Sequence, residues 1–162
     1  MVPAGGSSVP KLPQHHVDSA PSGSVIVIAS PKVAGAVWGG LMSTRAHHLG
    51  AVGLVTDGRC RDLGEHRDMG FPVFATGISC CGLGAYVTPS AVNVPVSVAG
   101  VTVKSGDIVV ADLNGVMVIP SEKLEEVVVA CEKAQPIELA CMEDLRAGKG
   151  IQETFAKHRG KK

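Results

Sequence analysis

The chain has 162 residues, 45% of them hydrophobic and 19% charged, and its 15 basic and 15 acidic side chains leave no formal net charge. That length and composition fit one domain with a real core and exclude disorder by composition. A balanced charge argues against a nucleic-acid or membrane surface as the main partner. One Trp, one Tyr and three Phe are too few for platforms that stack single-stranded bases.

No apolar run reaches the roughly 18 residues of a membrane span, and the opening MVPAGGSSVPKLPQ lacks the apolar centre of a secretory signal. The cysteines, Cys60, Cys80, Cys81, Cys131 and Cys141, are odd in number and form no CxxC pair. A disulfide framework or structural zinc site is therefore not expected, and a reducing, cytoplasmic setting is.

Residues 1–23 are rich in Pro, Gly and Ser and read as a flexible lead-in to a single domain over 24–158. Adjacent histidines in a polar segment, His15 and His16, read as solvent-exposed. SVIVIAS (24–30) is a short β-branched run and predicts a buried strand. Small and apolar residues at helical spacing predict a helix over 34–49, stopped by Gly50. AVGLVTD (51–57) predicts a second buried strand, and Asp57-Gly58 a turn. Asp62 and Glu65 stand at capping-box spacing for a short helix ending at Met69 and Gly70. FPVFATGI (71–78) predicts a third strand, so the first half suggests parallel βαβ units.

The second half changes pattern. VNVPVSV, VTV, DIVVADL and VMVIP are joined by Ala99-Gly100, Ser105-Gly106 and Asn114-Gly115, which are connections of antiparallel type. Ser121 is the expected N-cap of a long helix, with a break or restart at Pro136. A last short helix, QETFAKHR, follows Gly148 and Gly150. The expected class is α/β with a mixed parallel and antiparallel sheet.

The chemistry concentrates at 39–65. Gly39-Gly40 lets a ligand approach the backbone, and a helix opening there would point the amides of Gly39, Gly40, Leu41 and Met42 at an anion. From the glycines alone, tight helix–sheet packing is the favoured reading. Arg61-Asp62 follows a strand and a turn, at the carboxyl end where ligands of open α/β sheets bind. There Arg61 can fork onto a carboxylate, and Asp62 can hold Mg²⁺, which needs only one or two protein carboxylates. A surface ion pair and a helix cap explain the same two residues. Glu65 can orient a metal-bound water or fix Arg61. Asp57 is a further acidic candidate or simply a turn former. His66, Arg45, His47 and His48 read as solvated, and Cys60 as partly exposed but not a nucleophile.

AVWGGLMSTRAHHLGAVGLVTDGRCRDLGEHRDMGFPVFATGIS (36–79) resembles the RraA-like family, which includes 4-hydroxy-4-methyl-2-oxoglutarate aldolases, oxaloacetate decarboxylases and the regulator of ribonuclease activity A. VNVPVSVAGVTVKSGDIVVADLNGVMVIP and LRAGKGIQETFAKH extend the resemblance to about residues 20–158. Its most specific feature is the twenty residues between Gly40 and Arg61. The resemblance implies a three-layer β/β/α swivelling domain assembled as a homotrimer or hexamer. It implies substrate binding by the backbone of Gly39 to Met42, carboxylate binding by Arg61, and a catalytic Mg²⁺ or Mn²⁺ on Asp62. Two departures stand out: many of the aldolases carry an acidic residue where this chain has Gly40, and family members usually have a longer N-terminal part.

The expected activity is that of a carbon–carbon lyase acting on a 2-oxo acid through a pyruvate enolate. Oxaloacetate decarboxylation needs no base for a substrate hydroxyl, so it tolerates Gly40 better than aldol cleavage does. The alternative is a non-catalytic module that binds another protein, as the regulator branch does.

Overall fold

A computed structural model describes residues 1–3 and 11–160. The chain divides into two compact units, 1–118 and 119–162. The expected lead-in falls partly on 4–10, outside the described residues. Of its remainder, β1 (Val2–Pro3) pairs with β8 (Val87–Thr88), and Val17, in a short 3₁₀ turn over His16–Ser19, is fully buried in the core.

The first unit is a mixed α/β structure built on a repeated step: a strand in one sheet, a strand in a second sheet, then a helix. β2 (Val25–Ile28) is followed by β3 (Ala36–Trp38) and α1 (Gly40–His48). β4 (Gly53–Thr56), β5 (Arg59–Cys60) and α2 (Leu63–Met69) repeat the order, and β6 (Val73–Phe74) and β7 (Gly77–Ile78) begin it again. The first strands of each step form the parallel sheet β2-β4-β6, and the second strands form the parallel sheet β3-β5-β7. One core joins both sheets to α1, with Ile28, Leu54, Val37, Trp38, Cys60, Ala46 and Phe71 buried together.

This step corrects two expected elements. The helix expected over 34–49 begins only at Gly40, because Ala36, Val37 and Trp38 pair with β5 and are buried as strand. The strand expected over 71–78 is cut into β6 and β7, because the chain changes sheets at Ala75-Thr76. The switch loops are tied together by Asp57. Its Oδ1 accepts the Ser30 amide at 2.7 Å and its Oδ2 the Ala99 amide at 3.3 Å. Thr76 Oγ1 donates to the carbonyls of Asp57 and Gly58, each at 2.9 Å. Gly58 has no room for a side chain, since a Cβ there would lie 2.7 Å from Val37 Cγ2.

The antiparallel half follows the turn signals. β9 (Val96–Val98) pairs with β10 (Val101–Val103) across Ala99-Gly100, and β11 (Ile108–Asp112) turns at Asn114 into β12 (Gly115–Ile119).

The second unit contains α3 (Leu124–Arg146) and α4 (Ile151–His158). A 3₁₀ turn over Ser121–Lys123 precedes α3, so Ser121 is not its N-cap. The helix also runs unbroken through Pro136. That stretch is exposed, where water can take the carbonyl that proline leaves without a donor. No helix among the described residues is long and apolar enough to cross a membrane.

Asp144 fastens α4 to the end of α3. Its carboxylate accepts Lys149 Nζ at 2.7 Å, Lys157 Nζ at 2.8 Å and His158 Nε2 at 2.9 Å. Those bonds, Lys149's first, hold its carboxyl well below the usual aspartate range. A carboxyl depressed in the folded state stabilises at pH values above its unfolded pKa, and that contribution fades as pH falls through the folded value. Asp144→Asn should therefore speed amide exchange over 151–158 at neutral pH. The difference from wild type should shrink as pH drops below about 3.9. A difference independent of pH would show that charge is not what holds the junction.

Candidate functional site

Gly39-Gly40 leaves the carboxyl end of β3, and Arg61-Asp62 leaves the carboxyl end of its parallel neighbour β5. The Arg61 amide donates to the Trp38 carbonyl at 3.0 Å, which carries the pairing past the strands and sets the two dipeptides side by side. Asp62 then adopts the left-handed region, φ 61° and ψ 43°, a conformation Asp tolerates better than most residues. Its Oδ2 accepts the Gly40 amide at 2.9 Å and lies 3.5 Å from Arg61 Nε.

A side chain on either glycine would have to displace the charged groups around it. A Cβ on Gly39 would lie 2.7 Å from Asp62 Oδ2 and 3.0 Å from Arg61 Nε. A Cβ on Gly40 would coincide with the Glu65 carboxylate. The capping box expected from Asp62 and Glu65 does not form. Asp62 is the N-cap residue of α2 but makes no side-chain capping bond, and its carboxylate is turned to Gly40 instead.

The expected set of four amides is narrowed. Gly40 N–H is taken by Asp62, and Met42 N–H donates to the Gly39 carbonyl at 3.1 Å. The amides of Gly39 and Leu41 have no partner among the described residues and face the first turn of α1, where negative charge is favoured. The Leu41 side chain is 83% exposed, while Met42 packs on the core.

Asp62 is a reasonable seat for a hard divalent cation. Its Oδ1 accepts no hydrogen bond among the described residues, and its side chain is 30% exposed. One carboxylate with several waters is the donor set Mg²⁺ commonly takes. No group of three or more His, Cys, Asp or Glu side chains among the described residues is placed to hold a metal ion.

The remaining candidates separate from this cluster. Asp57 is committed to the switch loops. Cys60 is buried rather than partly exposed, and burial raises its thiol pKa, which leaves it a poor nucleophile. His66 is 4% exposed rather than solvated, and both its ring nitrogens lack a partner among the described residues. His47 and His48 are exposed, and Arg45 pairs with Asp18 at 2.6 Å. His15 is exposed, but the ring nitrogens of His16 are buried, and desolvation pushes its pKa down to about 4. A groove of about 850 Å³ runs along β2, and none of Gly39, Gly40, Arg61, Asp62 or Glu65 lines it.

Sequence reasoning missed the support beneath the site. Trp38 Nε1 donates to Ser43 Oγ at 2.7 Å in full burial, pinning the start of α1 to β3. The Trp38 ring also stacks on Phe71 with 6.5 Å between centroids. The one available signal was the position of the sole tryptophan, directly before the glycine pair.

Comparison with known proteins gives a consistent result. The model of the RraA-like family, described as Aldolase/RraA, matches residues 7–118. The uncharacterised protein MJ0644 of Methanocaldococcus jannaschii is 36% identical over 80% of this chain and 62% of its own length. A Halalkalibacterium halodurans protein named as a 4-hydroxy-4-methyl-2-oxoglutarate aldolase is 31% identical over 73% of this chain and 56% of its own. The chain thus spans about three fifths of these two curated relatives. The crystal structure of Streptomyces coelicolor RraAS2, described as an unusual member of the RNase ES inhibitor RraA family, superposes with a TM-score of 0.70 at 31% identity. The match covers 75% of this chain and 63% of that one.

Proposed function

The chain belongs to the RraA-like family, and we propose that within it the protein is a divalent-metal-dependent lyase acting on 2-oxo acids through a pyruvate enolate. The observation that carries this reading is the meeting of Arg61 and Asp62 with the backbone of Gly39-Gly40. The name of the H. halodurans relative supports the reaction class.

Arg61 is half-exposed and free to fork onto the substrate's 1-carboxylate. Asp62 Oδ1 would hold Mg²⁺ or Mn²⁺, which when bound supplies Lewis-acid polarisation of the 2-keto group. The Gly39 and Leu41 amides would donate toward the oxygen on which negative charge grows. In oxaloacetate the C3–C4 bond breaks, CO₂ leaves, and the bonding pair enters the enolate, which then takes a proton at C3 to give pyruvate. Glu65 stands beside Gly40 as the further acidic group of the site. A trimeric or hexameric assembly belongs to the same proposal.

Pyruvate release from oxaloacetate tests it, measured with Mg²⁺ or Mn²⁺ and with EDTA and corrected for decarboxylation by metal alone. EDTA should stop turnover. Arg61→Ala should lower kcat/KM by about 1.5–3 kcal/mol, roughly 10- to 150-fold, the worth of a hydrogen bond to a charged group. Turnover no faster than the metal blank, from folded protein, would overturn the lyase reading. It would favour a protein-binding role, as the description of the S. coelicolor neighbour suggests.

A further inference from the structure

We propose that the groove along β2 is a docking site for an extended, uncharged, apolar segment of a partner polypeptide, which adds to the open edge of β2 as a further strand. The inference lies outside the site at Gly39-Gly40 and Arg61-Asp62 and does not depend on the lyase reading.

β2 lies at the edge of its sheet, with β4 on one side and no strand on the other among the described residues. Register decides which of its backbone groups are spent. Leu54 turns its amide away from β2, to the Pro72 carbonyl at 2.9 Å. Its neighbour Val55 therefore faces β2, and in a parallel ladder that engages Ile26 and Ile28. Val25 and Val27 are left with N–H and C=O turned outward, and neither has a backbone partner outside the ladder among the described residues. Ala29 is the next outward residue, and its carbonyl accepts the Met1 amine at 2.9 Å. Met1 thus closes one end of the edge and leaves Val25 and Val27 open.

The groove borders this edge. All of Val25 to Ala29 line it, not every second residue, so the strand presents its backbone edge and not one face. The opposite wall includes Val94, Val96, Val103 and Ile108. Its charged side chains are Lys104 and Asp107, of opposite sign, and Asp107 Oδ2 accepts the Lys104 amide at 2.8 Å. His16 adds a ring that burial keeps neutral, with its pKa down at about 4. Such walls favour an occupant without charge.

Size selects a strand. Five residues at about 3.3 Å each make the edge about 17 Å long, so the groove of about 850 Å³ averages about 50 Å² in section. One strand of a packed sheet occupies about 4.8 Å by about 10 Å, which is the same section. A segment that enters meets the Val25 and Val27 backbone with its own and the apolar wall with alternate side chains, as in strand addition to other sheet edges. β2 carries no Lys, Pro or bulge over Val25–Ile28, the usual guards of a free edge. A folded edge from a second copy brings a neighbouring strand with it and exceeds that section.

The probe is an end-blocked, fluorescein-labelled heptapeptide alternating Val and Thr, followed by fluorescence anisotropy. It should bind wild type saturably, and the same peptide N-methylated at every internal amide should bind at least about tenfold more weakly. Val27→Pro removes an outward N–H and should weaken binding by at least about tenfold while leaving the melting temperature near that of wild type. Ile26→Pro removes a ladder bond and should strongly destabilise the fold. Val94→Lys, on the opposite wall, should weaken binding without unfolding the protein. Before peptide is added, the Val25 and Val27 amides should exchange with deuterium faster than those of Ile26 and Ile28, and peptide should slow them. Equal binding of the N-methylated peptide would mean an apolar pocket for small molecules and overturns the inference. So does a Val27→Pro variant that unfolds, which would put that amide in the ladder, or one that binds peptide as well as wild type does. A folded wild type that binds no peptide overturns it too, whether a second copy closes the groove or nothing does.

Discussion

Asp62→Asn should reduce metal-dependent pyruvate release by at least about 100-fold while leaving the protein folded. The two effects separate because the observed backbone contact and the proposed metal role draw on different properties of Asp62. Oδ2 accepts the Gly40 amide, and an Asn carbonyl oxygen can do the same. The left-handed backbone at φ 61° also suits Asn as well as Asp. What Asn cannot supply is the negative charge that a hard cation seeks in its oxygen ligands. Removal of one preorganised electrostatic group at a reacting centre costs on the order of 10²–10³ in rate, and loss of the only carboxylate holding the metal should cost no less. Asp62→Ala is the poorer experiment, since it would also strand the Gly40 amide and strain the backbone. The decisive comparison is thermal unfolding, Mn²⁺ binding and turnover on one preparation of Asp62→Asn. A folded variant that keeps metal-dependent turnover would remove Asp62 from the site.

Much of this geometry was legible in the sequence because it depends on short-range signals. The glycine pair reads as a helix start and Arg61-Asp62 as residues beyond a strand and a turn, and both readings put these residues at a ligand-binding end of an α/β sheet, although β3 and β5, whose ends carry them, leave no signal of their own. The sequence could not show that each βα step visits two sheets. Ala36-Val37-Trp38 carries helix-compatible spacing, and its partner β5 is only two residues long, so the pairing leaves no periodic trace. Asp57 illustrates the same limit. As a turn former it was visible, but its bonds to Ser30 and Ala99 span 27 and 42 residues and exist only once the switch loops meet. His66 was misjudged for a related reason. A polar residue on a seven-residue helix reads as solvated, and only packing of α2 decides otherwise. Gly40 was legible as a missing side chain, but the carboxylate that fills its place comes from Glu65, 25 residues later in the chain.

Trp38→Ala should cost about 3–5 kcal/mol of unfolding free energy, the usual penalty for removing a large aromatic from a core. Trp38 is 1% exposed and lies among Val37, Ala46, Cys60 and Phe71, so little solvent could enter to soften the loss. The change also removes the donor that Ser43 Oγ accepts at 2.7 Å, leaving a buried hydroxyl without its partner. Because small domains are stable by only about 5–15 kcal/mol, such a loss should pull the urea midpoint down sharply. Far-ultraviolet circular dichroism must report it, since the variant lacks the sole tryptophan. Trp38→Phe separates the contributions: it keeps an aromatic against Phe71 but not the Ser43 bond, and should cost about 1–3 kcal/mol. The backbone bond from Arg61 to the Trp38 carbonyl survives both changes, so the fraction of either variant that remains folded should retain whatever metal-dependent turnover the wild type shows. A Trp38→Ala penalty below about 1 kcal/mol would mean that β3 and α1 are held by other contacts, and that the site is not built on this residue.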